Sequence, residues 1–312
     1  MTAKRPGVIL SLGELLVELM RPEADAGLTA SGTFLGPYAS GAPAIFAWAA
    51  ARMGTPSRFA GVCGADPFGA HCTAHLGEAG VSLHVRHDPE HETGMAFVAY
   101  QENGERDFLF HLRHAAAAQL KPSDVTPEIL EDVAWLHITG SSLGVSESMQ
   151  EAVYHAVAAG KGQGTIISFD PNVRSDLLGG QTLETLCAPV LDAADIVLPS
   201  STEAALLTGI SDLDEACRSL QRRGKTVLLK QGAKGSTLFA DGLERHVPSI
   251  RVQEIDPTGA GDCFAAGFAV ASLEGQPLED AVRFANVVGA LSTTAFGPTS
   301  APLSYAAVMA HL

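Results

Sequence analysis

At 312 residues the chain is long enough for one large domain or two, and a hydrophobic content of 46% supplies an ample core. A net charge of −15 argues against nucleic acid, whose phosphates need a basic face, but leaves room for a small local anion site. The five cysteines (Cys63, Cys72, Cys187, Cys217, Cys263) are scattered and form no C-x-x-C pair, so neither a disulfide framework nor a zinc site is expected. The N-terminus has no long apolar h-region and no run of about 18 apolar residues occurs, which points to a cytoplasmic protein without a membrane span.

Residues 8–13 read as a buried strand that continues to the carboxylate of Glu18. Residues 21–40, rich in Gly, Pro and Thr, read as loop or short edge strands. Ser40-Gly41-Ala42-Pro43 opens an apolar helix that ends at Gly54. Residues 59–64 predict a strand followed by a turn to Gly69. Residues 93–113 form the clearest hairpin, two alternating strands around Asn103-Gly104. The alanine run 115–118 fits a hinge. From 134 onward strands (134–140, 165–170, 196–198, 226–230) alternate with helices (147–159, 202–207), which argues a parallel sheet covered by helices. Ligands of such sheets sit beyond the carboxyl ends of the strands, where the candidate polar residues fall. Residues 278–293 read as a further helix, and Gly297-Pro298 as a turn.

The chemistry concentrates in Asp256-Pro257-Thr258-Gly259-Ala260-Gly261-Asp262, a small-residue turn between a polar extended run and an apolar helix. Gly259, Ala260 and Gly261 let another molecule approach the backbone, and the first amides of the helix have no partner inside it. Free N–H groups at the positive end of a helix make an anion site. Asp262, in the first turn, stands beside it. It fits ordinary capping chemistry, and it equally fits a base that takes a hydroxyl proton while a phosphoryl group transfers. No G-x-x-x-x-G-K-[ST] and no dinucleotide G-x-G-x-x-G accompanies the turn.

D-x-x-G-x-G-D resembles the C-terminal signature of the ribokinase-like (pfkB-type) carbohydrate kinases, and further segments from Gly13 to Gly297 agree. The resemblance implies Asp262 as catalytic base and the Gly259, Ala260 and Gly261 amides as anion hole. Gly13-Glu14-x-Leu16-x-Glu18 resembles the family's G-E-x-L-x-D, which gives Glu18 a sugar contact; read alone, Glu18 is equally a solvated strand residue. The family's helix start carries A-N after its glycines. Here Gly41 is kept, followed by Ala42, but Ser40 stands before it and Ile45 holds the Asn position, so a polar sugar contact is missing. The resemblance places Phe97 and Arg113 in the sugar pocket. His111 joins them as a candidate, although an ordinary strand residue fits it as well. Asp170-Pro171-Asn172-Val173-Arg174 is similar to the D-x-N-x-R of fructokinase- and ketodeoxygluconate-kinase-like members, so Asp170 organises the site and Arg174 neutralises sugar or phosphate. A plain salt bridge is the alternative. Ser200-x-x-Glu203 stands where the family has N-x-x-E, which gives Glu203 a magnesium role; S-x-x-E is also a capping box. Lys230, Gly232 and Gly235 fall on the nucleotide-side G-x-x-G loop, and Asn286 falls on the helix beside the adenine pocket.

The resemblance implies an α/β ribokinase-like three-layer sandwich with a mainly parallel central sheet, one domain over 1–312, and a small β-sheet lid from about 18–38 and 93–113. It implies an ATP- and Mg2+-dependent sugar kinase, sometimes with a monovalent cation near Gly297, and sometimes a homodimer through the lid. G-E-L-L-V-E and G-A-P-A-I-F resemble tagatose-kinase-like members, which ranks a ketohexose first and 2-keto-3-deoxygluconate second. A phosphofructokinase-type enzyme and a catalytically silent sugar-binding protein on the same fold are the rivals.

Overall fold

The computed structural model describes residues 7–101, 106–172 and 182–312. The larger of its two sheets runs Leu243–Val247 (β13), Ser236–Ala240 (β12), Thr226–Lys230 (β11), Ile196–Val197 (β10), Ile166–Asp170 (β9), Val133–Thr139 (β8), Val8–Glu14 (β1), Ser57–Gly64 (β4) and Ser82–Asp88 (β5). From β11 to β5 every neighbouring pair is parallel, whereas β12 and β13 close the far edge as antiparallel strands. The smaller sheet has the order Leu35–Ser40 (β3), Leu16–Met20 (β2), Gly94–Tyr100 (β6) and Arg106–His111 (β7).

Alternation explains why the large sheet needs cover on both faces. Ile9, Phe59 and Cys63 point into one core, and Leu10, Leu12, Ala60 and Val62 into the other. The first core is roofed by Ala42–Arg52 (α1), Pro67–Glu78 (α2), Ala260–Leu273 (α9), Leu278–Ser292 (α10) and Tyr305–Met309 (α11). The second holds Pro127–Leu130 (α3), Gly140–Leu143 (α4), Glu147–Gly162 (α5), Leu183–Ala193 (α6), Ser201–Thr208 (α7) and Leu213–Arg222 (α8). This is the expected three-layer α/β sandwich. Helix α9 lies innermost and is buried on every side from Asp262 to Ala271. A Cβ on Gly267 would sit 2.9 Å from Val288 Cγ2 and 3.0 Å from Ala285 Cα, so that glycine sets the approach of α9 to α10. All five cysteines are buried and unpaired. No helix among the described residues is long and apolar enough to cross a membrane.

Four local expectations change. The stretch 8–18 is two strands in different sheets, because the chain leaves β1 at Glu14 and enters β2 at Leu16. The small sheet therefore spans Leu16 to Ser40 and Gly94 to His111, slightly offset from 18–38 and 93–113. Ala116, Ala117 and Ala118 are packed in the second core at 0–3% exposure, which is not the setting of an open hinge. Strands β5, β12 and β13 were not anticipated. The turn Asn103-Gly104 lies outside the described residues.

Candidate active site

Five of the seven parallel strands deliver a polar residue at or just past the carboxyl end. Glu14 closes β1, Ser141 follows β8, Asp170 closes β9, Ser200 follows β10 and Lys230 closes β11. All five line one cavity of about 420 Å³, together with Glu18, Ser40, Gly41, Ala42, Ile45 and Glu203. The small sheet roofs it with Arg106, Phe108 and Phe110 from β7. A second cavity of about 430 Å³ is lined by Gly232, Gly235, Ile250, Phe264, Asn286 and Thr293, among others. The two share Lys230, Gly232, Pro257, Ala260 and Gly261, so the turn 257–261 is their common wall. Asp262 lines the first cavity and not the second.

The turn has its shape for local reasons. Gly259 caps α9 with φ 79°, a conformation that disfavours side chains, and a Cβ there would meet Ile45 Cγ2 at 3.1 Å. Asp256 is buried and braces the entry: its Oδ1 accepts the Thr258 amide at 2.9 Å and its Oδ2 the Gly297 amide at 2.8 Å. The Ala260 amide is drawn back onto the Pro257 carbonyl at 3.2 Å, which reduces the expected set of free donors. The Gly261 amide donates to no backbone carbonyl among the described residues, and Gly261 lines both cavities.

Lys230 Nζ pairs with Asp170 Oδ2, both largely buried. Burial opposes the ammonium charge, yet Asp170, Glu203 and Asp262 outweigh it and hold Lys230 above the usual lysine range. The pair thus brings a fixed cation to the shared wall. Glu14, buried under Ser141 and Ser142, accepts from the Ser141 hydroxyl at 2.7 Å and the Ser142 hydroxyl at 2.5 Å. Burial still raises its carboxyl above the ordinary value. Glu18 Oε1 accepts the Ser40 hydroxyl at 2.9 Å.

Several expected site residues stand elsewhere. Pairing of β6 with β7 puts Met95, Phe97, Leu109 and His111 on one face and Ala96, Phe108 and Phe110 on the other. The second face meets the cavity; Phe97 and His111 contact each other edge-on at 5.9 Å on the outer face. Arg113 is exposed beyond the end of β7 and does not line the cavity. Asn286 borders the second cavity, but its amide is spent inside the fold: Oδ1 accepts from Ser236 at 3.0 Å and Nδ2 donates to the Val247 carbonyl at 2.9 Å. Glu203 caps α7, taking the Ser200 amide at 2.7 Å, while it also borders the first cavity. Arg174 lies outside the described residues. Glu14, Ser141, Arg106, Phe108 and Phe110 were missed. The R-x-F-x-F alternation of β7 was the available signal for the last three.

Two cavities meeting at a small-residue turn at a helix N-terminus, one with a carboxylate beside that turn, are the arrangement a group-transfer enzyme needs. The model of the pfkB family carbohydrate kinases matches residues 8–304. The chain belongs to that family. Fructokinase-1 of Oryza sativa subsp. japonica is 33% identical over 306 residues, covering 95% of this chain and 94% of the relative. A candidate ribokinase II from E. coli, solved in complex with ATP and Mg2+, is 35% identical with a TM-score of 0.91, covering 97% and 98% of the two chains. A fructokinase double mutant from Vibrio cholerae O395, solved with fructose, ADP and potassium, is 30% identical with a TM-score of 0.89 and 99% coverage of both.

Proposed function

We propose that this chain transfers the γ-phosphoryl group of ATP to a hydroxyl of a free ketohexose of tagatose or fructose type. The observation that carries this reading is the shared wall. Lys230 and Gly261 line both cavities, whereas Asp262 lines only one. The cavity with Asp262 takes the sugar, and the other takes the nucleotide. Asp262 accepts the proton of the reacting hydroxyl, and the turn amides with Lys230 hold the charge that develops on the moving group. Glu14, Glu18, Ser40 and Ser141 offer polar groups for sugar hydroxyls, and Phe108 and Phe110 offer apolar ring surface in the same cavity.

Among the described residues no cluster of three or more His, Cys, Asp or Glu could hold a metal by itself. That suits Mg2+, which is commonly held by one or two carboxylates, substrate phosphates and water. Glu203 and Asp170, on the cavity wall, are the residues that would help hold it. When bound, Mg2+-ATP supplies the phosphoryl group and the neutralising charge. A monovalent cation would sit near the Gly297-Pro298 turn, and Arg174 keeps its proposed contact with sugar or phosphate. Pairing of two copies would use the outer face of the small sheet, where Leu109 is 47% exposed.

Arg106 on the cavity wall favours a second reading, an acidic sugar such as 2-keto-3-deoxygluconate. A coupled ADP-release assay with Mg2+-ATP over tagatose, fructose, 2-keto-3-deoxygluconate, ribose and fructose 6-phosphate separates the readings. Turnover of a ketohexose is expected. Turnover of the acid sugar alone would move the assignment to the second reading, and turnover of the phosphosugar alone would overturn both.

A further inference from the structure

The small sheet is fastened to the turn 256–258 by side chains at the ends of β6 and β7. Tyr100, the last residue of β6, donates from its hydroxyl to Asp256 Oδ1 at 2.8 Å and lies 3.3 Å from Thr258 Oγ1. Arg106, the first residue of β7, donates to Thr258 Oγ1 at 3.2 Å. The rings of Tyr100 and Tyr38 both rest on Phe296, with centroids at 5.9 and 6.1 Å. Tyr38 also packs against Gly297, where a Cβ would come within 2.6 Å of its ring. Strands β3, β6 and β7 thus end on two segments, 256–258 and 296–297, and the Asp256 carboxylate joins those segments to each other.

From this juxtaposition we infer that Tyr100 is a positioning residue for phosphoryl transfer, acting through Asp256. The inference rests on the kinase reading and concerns the same site. Asp256 fixes the Thr258 amide one residue before Gly259, so the aim of the Gly259–Gly261 amides depends on how the Asp256 carboxylate is held. Burial leaves that carboxylate dependent on protein donors. With the small sheet down, Tyr100 completes its set of donors. With the sheet raised, one donor is withdrawn and the turn relaxes. The roof that excludes water over the sugar is thereby wired to the anion site, and transfer to water before the sugar is covered is suppressed.

The test is Tyr100→Phe in the full-length chain, which removes the hydroxyl and keeps the ring on Phe296. One hydrogen bond to a charged group predicts a fall in kcat of about tenfold or more, with KM for ATP little changed. ATP hydrolysis without sugar should rise relative to sugar phosphorylation. Independently of turnover, amide hydrogen exchange over 257–263 should quicken by about the same factor, while the thermal unfolding midpoint stays near wild type. Arg106→Lys should shift exchange the same way to a smaller extent. Unchanged exchange over 257–263 in Tyr100→Phe would overturn the inference whatever the activity. A wild-type chain silent on all sugars, with exchange still quickened in the variant, would count against the kinase reading and leave the coupling standing.

Discussion

On the proposed function, Asp262 is the base and Lys230 the fixed cation at the wall between the two cavities. Replacing Asp262 with Asn keeps the shape and removes the base. Turnover should fall by about 10²–10⁴-fold, the usual worth of general base catalysis, with an unaltered circular dichroism spectrum; a near wild-type rate would remove Asp262 from the role. Lys230→Met acts on folding as well, because it strands Asp170, which is 1% exposed, beside Glu203. Breaking a buried pair from one side costs about 3–5 kcal/mol. Urea unfolding should show a loss of that order, part of which Asp170→Asn returns in the double variant. Residues of this kind were legible where the pattern is local. The turn 256–262 and the Ser200–Glu203 cap are each complete within seven residues or fewer. Asn286 was not legible in its true role, since its partners Ser236 and Val247 stand 50 and 39 positions away.

At the level of elements, the two strands of the hairpin show what alternation can and cannot settle. The sequence announces that β7 has two faces, Arg106-Phe108-Phe110 and Asp107-Leu109-His111. It does not announce which face meets the cavity, because that follows from register with β6, and a shift of one residue exchanges the faces. Phe97 and His111 were placed inward on that undecided point. Helix α9 was easier, since an apolar run with small residues is buried on all sides in any packing. Its contact with α10 tolerates no added volume at Gly267. Gly267→Val should destabilise the chain by about 1–3 kcal/mol, the usual cost of overpacking, measured as a lowered urea midpoint with an unchanged slope. A neutral result would mean that the two helices are free to move apart.

On the scale of the whole molecule, the small sheet has a second attachment, on the side away from the catalytic turn. Asp66, the cap of α2, accepts the Gly69 amide at 2.9 Å and the Thr93 amide and hydroxyl at 2.7 and 2.9 Å, and Thr93 immediately precedes β6. The sequence offered this segment only as a strand followed by a turn; its grip on Thr93, 27 positions away, is visible only in the fold. Burial pushes the Asp66 carboxyl up, but the Gly69 and Thr93 donors more than compensate and leave it below its ordinary value of 3.8. The folded form therefore binds this proton less readily than the unfolded form. The stabilisation is fully present above the ordinary value and is lost as pH falls through the lower folded one. Thermal melting from neutral pH downward should show a loss that begins near 3.8 and is smaller in Asp66→Asn. An identical acid profile in that variant would assign the acid sensitivity to other carboxylates.

Buried sulfur turns the two-core architecture into a clock for its own opening. Burial raises the thiols of Cys63, Cys72, Cys187 and Cys217, to about 11 for Cys63 and about 12 for the other three. Cys263, directly behind Asp262 in the first core, is raised further still. An aromatic disulfide reagent should therefore find no reactive thiolate in the native chain and all five after denaturation. Labelling in native buffer then proceeds only as fast as each core opens. Cys187 and Cys217 report one face of the large sheet, and Cys63, Cys72 and Cys263 the other. If the two sets react at different rates, the faces loosen separately; a single rate would mean that the sandwich parts in one cooperative event.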